Sequence, residues 1–438
     1  MRYVLIGNSV AAVGAIRAIR KLDNEGEITV ISREKYPAYG RPLISYLLGG
    51  LITEKEMAYL PEGFYEQNRI NLLLSTEVTG LDTAAKTVRC ADGRTIGYDR
   101  LLLATGGDPF VPPIEGLTGK ARIFTFTTWD DAAKLKAIAG DITRAVVIGG
   151  GLIGLKAAEG LNLLGKAVTV VELADRVLSS AFDRPAGKIV ARKMRANGID
   201  VITEDTVASV SGEGNAISGV TLKSGDFLPC DTVVVAIGVR PATGFLQGSG
   251  VQVNRGVVVD NHMRSSVPDI FAAGDVAEAE DFFSREKNPM PIWPDAYIQG
   301  AVAGTAMAGG EREYEGGLAM NSIEFFKVST ISMGVTNPKN PEEYEILTAT
   351  DIENYQYRKL VLQEGRLVGA VLVGNVDRAG ILSGLIKNRT DISTWKQQLL
   401  HDDVGFVALD RQIRRTRFAP KGGYAWPQPG FGRMAGGH

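Results

Sequence analysis

Cysteine is nearly absent from this 438-residue chain, which contains only Cys90 and Cys230. The two lie far apart in the sequence, each close to a predicted strand. They cannot form a C-x-x-C pair, and two cysteines are too few for a cysteine-ligated iron–sulfur cluster or zinc site within the chain. The simplest interpretation is that both are small, buried apolar residues.

Long apolar runs and an excess of charge are also missing. No apolar run approaches the about 20 residues that span a bilayer, and the first apolar residues form a predicted strand rather than a signal peptide. We therefore expect a cytoplasmic protein without a membrane span. The net charge of −2 gives no basic footprint for nucleic acid. The three histidines, His262, His401 and His438, lie outside every motif below and are not candidates for an acid or base.

What the chain does have is two glycine-rich turns, each between an apolar strand and a predicted helix. The second turn is a full G-x-G-x-x-G. Gly149 makes the turn, Gly151 lets a pyrophosphate approach the backbone, and Gly154 lets the helix pack on the strand. The helix N-terminus, with Leu152 and Ile153, then meets the phosphate charge. We assign these five residues to a dinucleotide, against the alternative of a purely structural turn.

The strand after this turn ends at Glu172, the place where an acid hydrogen-bonds an adenosine ribose 2′-hydroxyl. A carboxylate at that place would repel a 2′-phosphate, so the sequence favours NADH over NADPH. Arg176 lies close by in sequence and leaves NADPH open.

The first turn is less regular. Gly7 is present, but Ser9 and Ala12 stand at the second and third glycine positions. Both are small, and the Ser9 hydroxyl could itself donate to a phosphate. Ser32 occupies the strand-end position, and Glu34 follows two residues later. We assign Glu34 to the ribose, with a solvated loop acid as the alternative.

Three later motifs complete an ordered set of five: Ala104-Thr105-Gly106, Ala236-Ile-Gly238-Val-Arg-Pro241 and Ala273-Gly274-Asp275. With them the chain resembles the pyridine nucleotide–disulfide oxidoreductase superfamily over about residues 1–310. The resemblance implies that the first and last segments bind FAD and that the middle insertion binds NAD(H).

The predicted fold class is α/β. It has two Rossmann-like nucleotide-binding domains of the three-layer ββα type, the second inserted in the first, and a C-terminal α+β domain. The predicted bounds are 1–116 and 241–314 for the FAD domain, 117–240 for the NAD domain and 315–400 for the third domain. The remaining residues, 401–438, form a tail that either docks on a partner or is disordered.

The resemblance also assigns individual residues to the cofactors. Arg41 and Pro42 would lie along the flavin, and Asp275 would hold the ribityl or pyrophosphate region. The helix that begins with Trp293 and Ala296 would point its N-terminus at the flavin pyrimidine. The remaining assignments are Ala104, Thr105, Gly106 and Gly274 for FAD, and Gly238 for NAD.

Two departures from the family pattern narrow the function. No cysteine lies in residues 36–50, where disulfide- and peroxide-reducing relatives keep their redox cysteines. The chain is instead similar to the branch of ferredoxin and rubredoxin reductases and of the flavin part of NADH nitrite reductase. Lys156 stands where many relatives have an acid. One hypothesis is that Lys156 favours anionic reduced flavin or adjusts its potential, and the alternative is that it points to solvent.

These observations predict an FAD-dependent oxidoreductase in which a hydride passes between NADH and flavin N5 and electrons then move singly. The acceptor or donor would be an iron–sulfur protein or subunit. Candidates are ferredoxin, rubredoxin or a larger complex such as a tungsten aldehyde oxidoreductase. The third domain also allows a homodimer. The alternatives are a stand-alone NADH oxidase, a quinone or small-molecule reductase, and a nucleotide-sensing scaffold. No metal site is predicted.

Overall fold

The computed structural model describes residues 1–402. The strands are β1 Arg2–Ile6, β2 Glu27–Ile31, β3 Ile70–Leu73, β4 Val78–Asp82, β5 Thr87–Cys90, β6 Thr95–Gly97, β7 Arg100–Leu103, β8 Gly107–Pro109, β9 Ile123–Thr125, β10 Arg144–Ile148, β11 Ala167–Glu172, β12 Ile199–Thr203, β13 Val207–Ser211, β14 Gly219–Leu222, β15 Phe227–Pro229, β16 Thr232–Val235, β17 Val239–Pro241, β18 Val257–Val258, β19 Ile270–Ala272, β20 Ala277–Glu280, β21 Lys287–Pro289, β22 Met320–Phe325, β23 Val328–Gly334, β24 Glu345–Asp351, β25 Gln356–Gln363 and β26 Arg366–Val373. The helices are α1 Val10–Leu22, α2 Ile44–Leu48, α3 Phe64–Gln67, α4 Trp129–Ala137, α5 Leu152–Leu163, α6 Arg184–Ala196, α7 Trp293–Met307, α8 Ala379–Lys387 and α9 Lys396–Leu400.

Two five-stranded parallel sheets share one design. The first has the order β19-β7-β1-β2-β3 and the second the order β12-β11-β10-β16-β9. The central strand of each sheet, β1 or β10, runs into a glycine turn and then into a helix, α1 or α5. Four of the five residues in each central strand are buried, as expected for strands covered on both faces. The predicted mixed α/β fold with parallel sheets is confirmed.

The chain forms four strands of the first sheet, then the whole second sheet, and then β19, the last strand of the first sheet. Strand β19 pairs in parallel with β7, with Ile270 opposite Leu101. Three-stranded sheets, β4-β5-β6 and β13-β14-β15, accompany the two parallel sheets. The domain bounds given above stay a prediction.

Helices α1 and α7 pack backbone against backbone. A Cβ atom added at Gly300 would overlap the carbonyl oxygen of Ala11, and one at Gly304 would overlap that of Ala15. Gly14 meets the carbonyl oxygen of Tyr297 in the same way. Glycine therefore allows a close crossing, which fixes the start of α7 beside the first glycine turn.

A five-stranded antiparallel sheet, β22-β23-β26-β25-β24, follows α7. It is joined to the helices of the second parallel sheet by polar contacts. Tyr357 donates to Asp183 at 2.6 Å, and the Lys359 ammonium lies 3.0 Å from the same carboxylate. Asp183 is also the N-cap of α6, so one carboxylate ties this sheet to α6.

Two local features differ from what the sequence predicts. The Gly and Pro of segment 36–45 predict an irregular chain, but the segment contains a 3₁₀ turn at Arg41–Leu43 and leads into α2. Ile44, Leu47 and Leu48 are buried in the core around α5, and this packing orders the segment despite its Gly and Pro. Strand β24 was not predicted because most of its residues are exposed and polar. It forms through its pairing with β25.

The chain divides after Asp391, and the residues from Ile392 onward form a separate unit, whose described part contains α9. The predicted partner-docking segment lies almost wholly outside the described residues. In residues 1–402, no helix is both long enough and apolar enough to cross a membrane. Cys90 and Cys230 are both 5% exposed, so the interpretation of each as a buried residue is confirmed.

Candidate functional site

The turn between β10 and α5 requires glycine at two positions for reasons of backbone geometry. Gly149 has φ of +108°, and an added Cβ would overlap the carbonyl oxygen of Ala236. At Gly154 an added Cβ would overlap the carbonyl oxygen of Gly149 itself. Both positions therefore exclude larger residues on steric grounds, and the second glycine lets α5 start directly on the turn.

Gly151 differs from these two glycines. Its φ is −77°, and an added Cβ would meet no protein atom within 4 Å, so protein packing does not explain the glycine. Gly151 is also the N-cap of α5 without a side-chain hydrogen bond to cap it. A backbone that can be approached closely at a helix N-terminus suits a phosphate, so this turn fits a dinucleotide. Leu152 and Ile153 begin α5, and the Ile153 side chain is partly exposed.

Glu172 contacts the same turn, and Gly238 lies two residues after Ala236, whose carbonyl oxygen faces Gly149. One Glu172 carboxylate oxygen accepts a hydrogen bond from the Gly150 N–H at 2.5 Å, and the other accepts one from the Ala174 N–H at 2.7 Å. The acid is thereby held against the glycine turn. Gly238 has φ of +113° and has no protein atom within 4 Å of an added Cβ. The assignments to NAD stay predictions.

The first turn repeats this arrangement with smaller changes. Gly7 has φ of +113°, and an added Cβ would overlap the carbonyl oxygen of Ala104. Ser9 is the N-cap of α1, and its hydroxyl makes no capping hydrogen bond. Ala12 is fully buried one turn later. The motif of residues 104–106 therefore meets the first turn directly, and α1 begins without a side-chain cap.

Two residues that the motif analysis missed are Asn8 and Ser45. Asn8 accepts a hydrogen bond from Tyr65 at 2.9 Å through its Oδ1, but its buried Nδ2 has no hydrogen-bond partner within residues 1–402. The Ser45 hydroxyl, in α2, is also buried and also has no hydrogen-bond partner within residues 1–402. A buried donor without a partner is unfavourable. Because Asn8 lies inside the glycine turn, its amide fits a bound phosphate or ribose group.

The last motif meets the first turn at Gly274. Its φ is +80°, and an added Cβ would contact the Cβ atoms of Ala11 and Ala296 at 3.4 and 3.5 Å. Its N–H donates to the side-chain oxygen of Gln299 at 2.8 Å. Gly274 is therefore fixed between α1 and α7. The neighbouring Ala273 N–H donates to the Leu103 carbonyl at 3.0 Å, so the first turn, the motif of residues 104–106 and the last motif lie side by side.

Asp275 and Arg41 lie close enough to interact electrostatically. Burial raises the pKa of Asp275, and the positive charge of Arg41 opposes part of that rise. Arg41 donates to the Thr127 carbonyl at 2.8 Å and to Glu34 at 2.5 Å. Pro42 follows Arg41 in the 3₁₀ turn that begins α2.

Glu34 binds protein groups through both carboxylate oxygens. One accepts from Arg41, and the other accepts from the Tyr39 hydroxyl at 2.7 Å. Its side chain is 19% exposed, so the alternative of a solvated loop acid is wrong. Its assignment to the ribose stays a prediction.

Thr105 and Gly106, which are also assigned to FAD, both bond to Ala242. The Thr105 hydroxyl donates to the Ala242 carbonyl at 2.9 Å, and the Gly106 carbonyl accepts from the Ala242 N–H at 3.0 Å.

The first turn of α7 contains a buried carboxylate, another residue missed by the motifs. Asp295 accepts hydrogen bonds from Tyr314 at 2.8 Å and from Gln299 at 2.8 Å. Burial raises the pKa of Asp295 to about 6, against these two hydrogen bonds. Gln299 thus links Asp295 to Gly274. Trp293 opens the helix and packs edge-on against Tyr59.

Lys156 is buried, with 8% of its surface exposed, so the alternative that it points to solvent is wrong. Its ammonium donates to Glu159 and, at 3.1 Å, to the Glu324 carbonyl. It also lies 4.4 Å from the ring centroid of Tyr46. These contacts join α5, α2 and β22. The suggested effect of Lys156 on the flavin stays a prediction.

Comparison with known families decides the class of this site. The model of the pyridine nucleotide-disulphide oxidoreductase family matches residues 1–300. The chain belongs to this family. The model of the rubredoxin NAD⁺ reductase C-terminal domain matches residues 320–390, which hold the antiparallel sheet and α8. The protein is therefore an oxidoreductase that uses FAD and NAD(H), in agreement with the fit of its two glycine turns.

Three relatives illustrate the range of this family. The chain is 34% identical to the NADH-dependent phenylglyoxylate dehydrogenase subunit epsilon of Aromatoleum evansii, over 94% of this chain and 97% of the relative. It is 28% identical to the rubredoxin-NAD(+) reductase of Pseudomonas putida, over 88% and 99%. The structure of a NAD-dependent persulfide reductase from A. fulgidus superposes with a TM-score of 0.85 and 29% identity, over 95% of this chain and 84% of that one.

Proposed function

We propose that this protein moves electrons between NADH and an iron–sulfur protein or subunit through FAD, without a redox-cysteine step. The observation that carries this proposal is the absence of cysteine from residues 36–50. That segment contains Arg41 and the short helix α2 but no cysteine, and burial raises the pKa of both cysteines of the chain, that of Cys230 to about 12. A thiolate is the reactive form, so neither cysteine suits a disulfide step.

The relatives support an electron-transfer role. One is named as a rubredoxin reductase, and another as a subunit of an NADH-dependent dehydrogenase. FAD supplies the chemistry that connects a two-electron donor with a one-electron acceptor. Since two cysteines cannot ligate an iron–sulfur cluster of the Cys₄ type, the cluster belongs to a partner.

In this proposal the chain's own residues bind and orient the two dinucleotides. Gly151 and the N-terminus of α5 receive the NADH pyrophosphate, and Glu172 receives the adenosine ribose. The N-terminus of α1, with Ser9 and Asn8, receives the FAD pyrophosphate. Arg41 supplies positive charge beside Asp275, where the remainder of FAD would lie.

The choice of NADH over NADPH rests on Glu172. Its carboxylate is held at the glycine turn by two backbone N–H groups, and it would repel the negative charge of a 2′-phosphate at short distance. NADH carries a 2′-hydroxyl there, which can donate to the same carboxylate.

The direct test is affinity purification of the full chain from the cells that produce it, under anaerobic conditions. The visible spectrum and the masses of the co-purifying proteins are recorded. An iron–sulfur protein that stays with a flavin reducible by NADH supports the proposal. A yellow protein that purifies alone and reduces oxygen or a quinone at the rate of its NADH consumption would replace it with a stand-alone reductase. The native mass of the particle distinguishes a homodimer from a mixed complex.

A further inference from the structure

The loop that follows Glu172 lies against the glycine turn of the second parallel sheet. The Leu178 N–H donates to the Gly150 carbonyl at 2.8 Å, and the Gly150 N–H donates to the Glu172 carboxylate at 2.5 Å. This loop contains Asp175 and Arg176. Both residues are therefore held next to the place proposed for the adenosine ribose.

Arg176 is the only arginine in residues 173–183. Its guanidinium already donates hydrogen bonds to protein acceptors. Nη1 donates to Asp175 at 2.6 Å, Nε donates to the Phe182 carbonyl at 3.0 Å, and Nη2 donates to the Ser179 carbonyl at 3.3 Å. Its side chain is 20% exposed. An arginine recognises a phosphate through two parallel N–H donors, and here each of the three nitrogens has a protein acceptor.

Asp175 holds a second arginine as well. Its other carboxylate oxygen lies 2.6 Å from Nε of Arg184, the first residue of α6. The Arg184 side chain is 74% exposed, so little besides this ion pair restrains it. One carboxylate thus pairs with two guanidinium groups at the border of the ribose site.

We propose that Asp175 is a specificity-determining residue that keeps this site selective for a dinucleotide with a free 2′-hydroxyl. It withholds Arg176 and Arg184 from a 2′-phosphate and adds a second negative charge beside that of Glu172. Without Asp175, the two arginines supply the donors and the charge that a 2′-phosphate requires. This inference rests on the proposed binding of NADH at the second turn.

The test uses the FAD-loaded protein and the oxidised nucleotides, NAD⁺ and NADP⁺, which differ only in the 2′-phosphate. Dissociation constants for both are measured by titration calorimetry for the wild type, Asp175→Asn and Asp175→Ala. The ratio of the two constants is the readout. We expect each substitution to shift this ratio toward NADP⁺ by about tenfold, the effect of one charge-assisted hydrogen bond.

The matched control separates the arginines from the loss of negative charge alone. In Asp175→Ala/Arg176→Ala/Arg184→Ala the shift should disappear. No shift in the single variants, or an equal shift in the triple variant, overturns the proposal. Failure of the proposed function gives a different result, because the wild type would then bind NAD⁺ no better than NADP⁺. The melting midpoint and FAD content of each variant confirm that it is folded.

Discussion

Lys156 and Glu159 form a buried ion pair one turn apart on α5, and Glu159 also accepts a hydrogen bond from the Phe326 N–H at 2.8 Å. The two residues are 8% and 6% exposed. Phe326 follows β22, so the pair connects α5 to the antiparallel sheet. Lys156, close to the second glycine turn, therefore helps to hold α5 against the antiparallel sheet.

We predict that breaking this pair on one side destabilises the protein more than removing both charges. Lys156→Met leaves the Glu159 carboxylate buried without its counter-charge, which is expected to lower the free energy of unfolding by about 3–5 kcal/mol. Lys156→Met/Glu159→Gln should recover most of that loss. Urea unfolding of the FAD-loaded protein, followed by tryptophan fluorescence, measures both values. Equal losses in the single and double variants would show that the ion pair is not what stabilises this joint.

Whether Lys156 also acts on the flavin is a separate prediction. A positive charge near the flavin stabilises its reduced, anionic form, so Lys156→Met should lower the flavin midpoint potential. Lys188→Met, at an exposed position of α6, removes the same charge elsewhere and is the control. Spectroelectrochemical titration gives both potentials. An unchanged potential in Lys156→Met, or an equal change in Lys188→Met, ends the hypothesis.

Two glycines of the same turn should respond differently to alanine. Gly149→Ala places a Cβ against the Ala236 carbonyl at a φ of +108°, so we expect loss of stability by several kcal/mol or failure to fold. Gly151→Ala meets no protein atom, so its melting midpoint and FAD content should remain near those of the wild type. The added methyl group instead obstructs the pyrophosphate, and the KM for NADH should rise about tenfold or more. An unchanged KM for NADH in Gly151→Ala would show that the nucleotide does not bind at this turn.

The buried Asp295 predicts a pH-dependent stability. Burial raises its pKa from the ordinary 3.8 to about 6; Tyr314, Gln299 and Lys387 oppose the rise and Asp281 adds to it. Between about pH 4 and 6 the folded state therefore binds more protons than the unfolded state, and stability falls as pH rises through this window. Relative to Asp295→Asn, the wild type should lose up to about 3 kcal/mol from pH 4 to pH 7.

Melting midpoints of the wild type and of Asp295→Asn, taken from pH 5 to pH 7.5, test this sign. The difference, wild type minus variant, should be largest at pH 5 and constant above about pH 7. A difference that grows with rising pH would mean that Asp295 is ionised and stabilising.

The sequence predicted the elements whose signals are local. Apolar periodicity and the glycine turns predict helices over 152–164 and 379–387 and a strand over 167–172. The structure has α5 Leu152–Leu163, α8 Ala379–Lys387 and β11 Ala167–Glu172. Three of the five motifs follow strands of the first parallel sheet and two follow strands of the second. Within each sheet they are neighbours because parallel strands place their carboxyl ends at one edge.

The parts that sequence analysis missed depend on distant partners. Asp295 is buried only because Tyr314 and Gln299 satisfy it, and Tyr314 belongs to no motif. The environment of Lys156 likewise depends on Glu324, which lies far along the chain on another sheet. Helix α2 is short, and its packing against α5 is what orders it.

The central claim is that electrons from NADH reach an iron–sulfur acceptor through FAD without a cysteine. Anaerobic stopped-flow mixing of the NADH-reduced protein with ferredoxin or rubredoxin tests it most directly, with Cys90→Ser/Cys230→Ser examined beside the wild type. We predict that NADH reduces the flavin and that the acceptor is then reduced as the flavin reoxidises. The rates of flavin reduction and of acceptor reduction should be the same in the cysteine-free variant. Flavin that NADH leaves oxidised, or electron transfer that is lost when the two cysteines are replaced, would contradict the account.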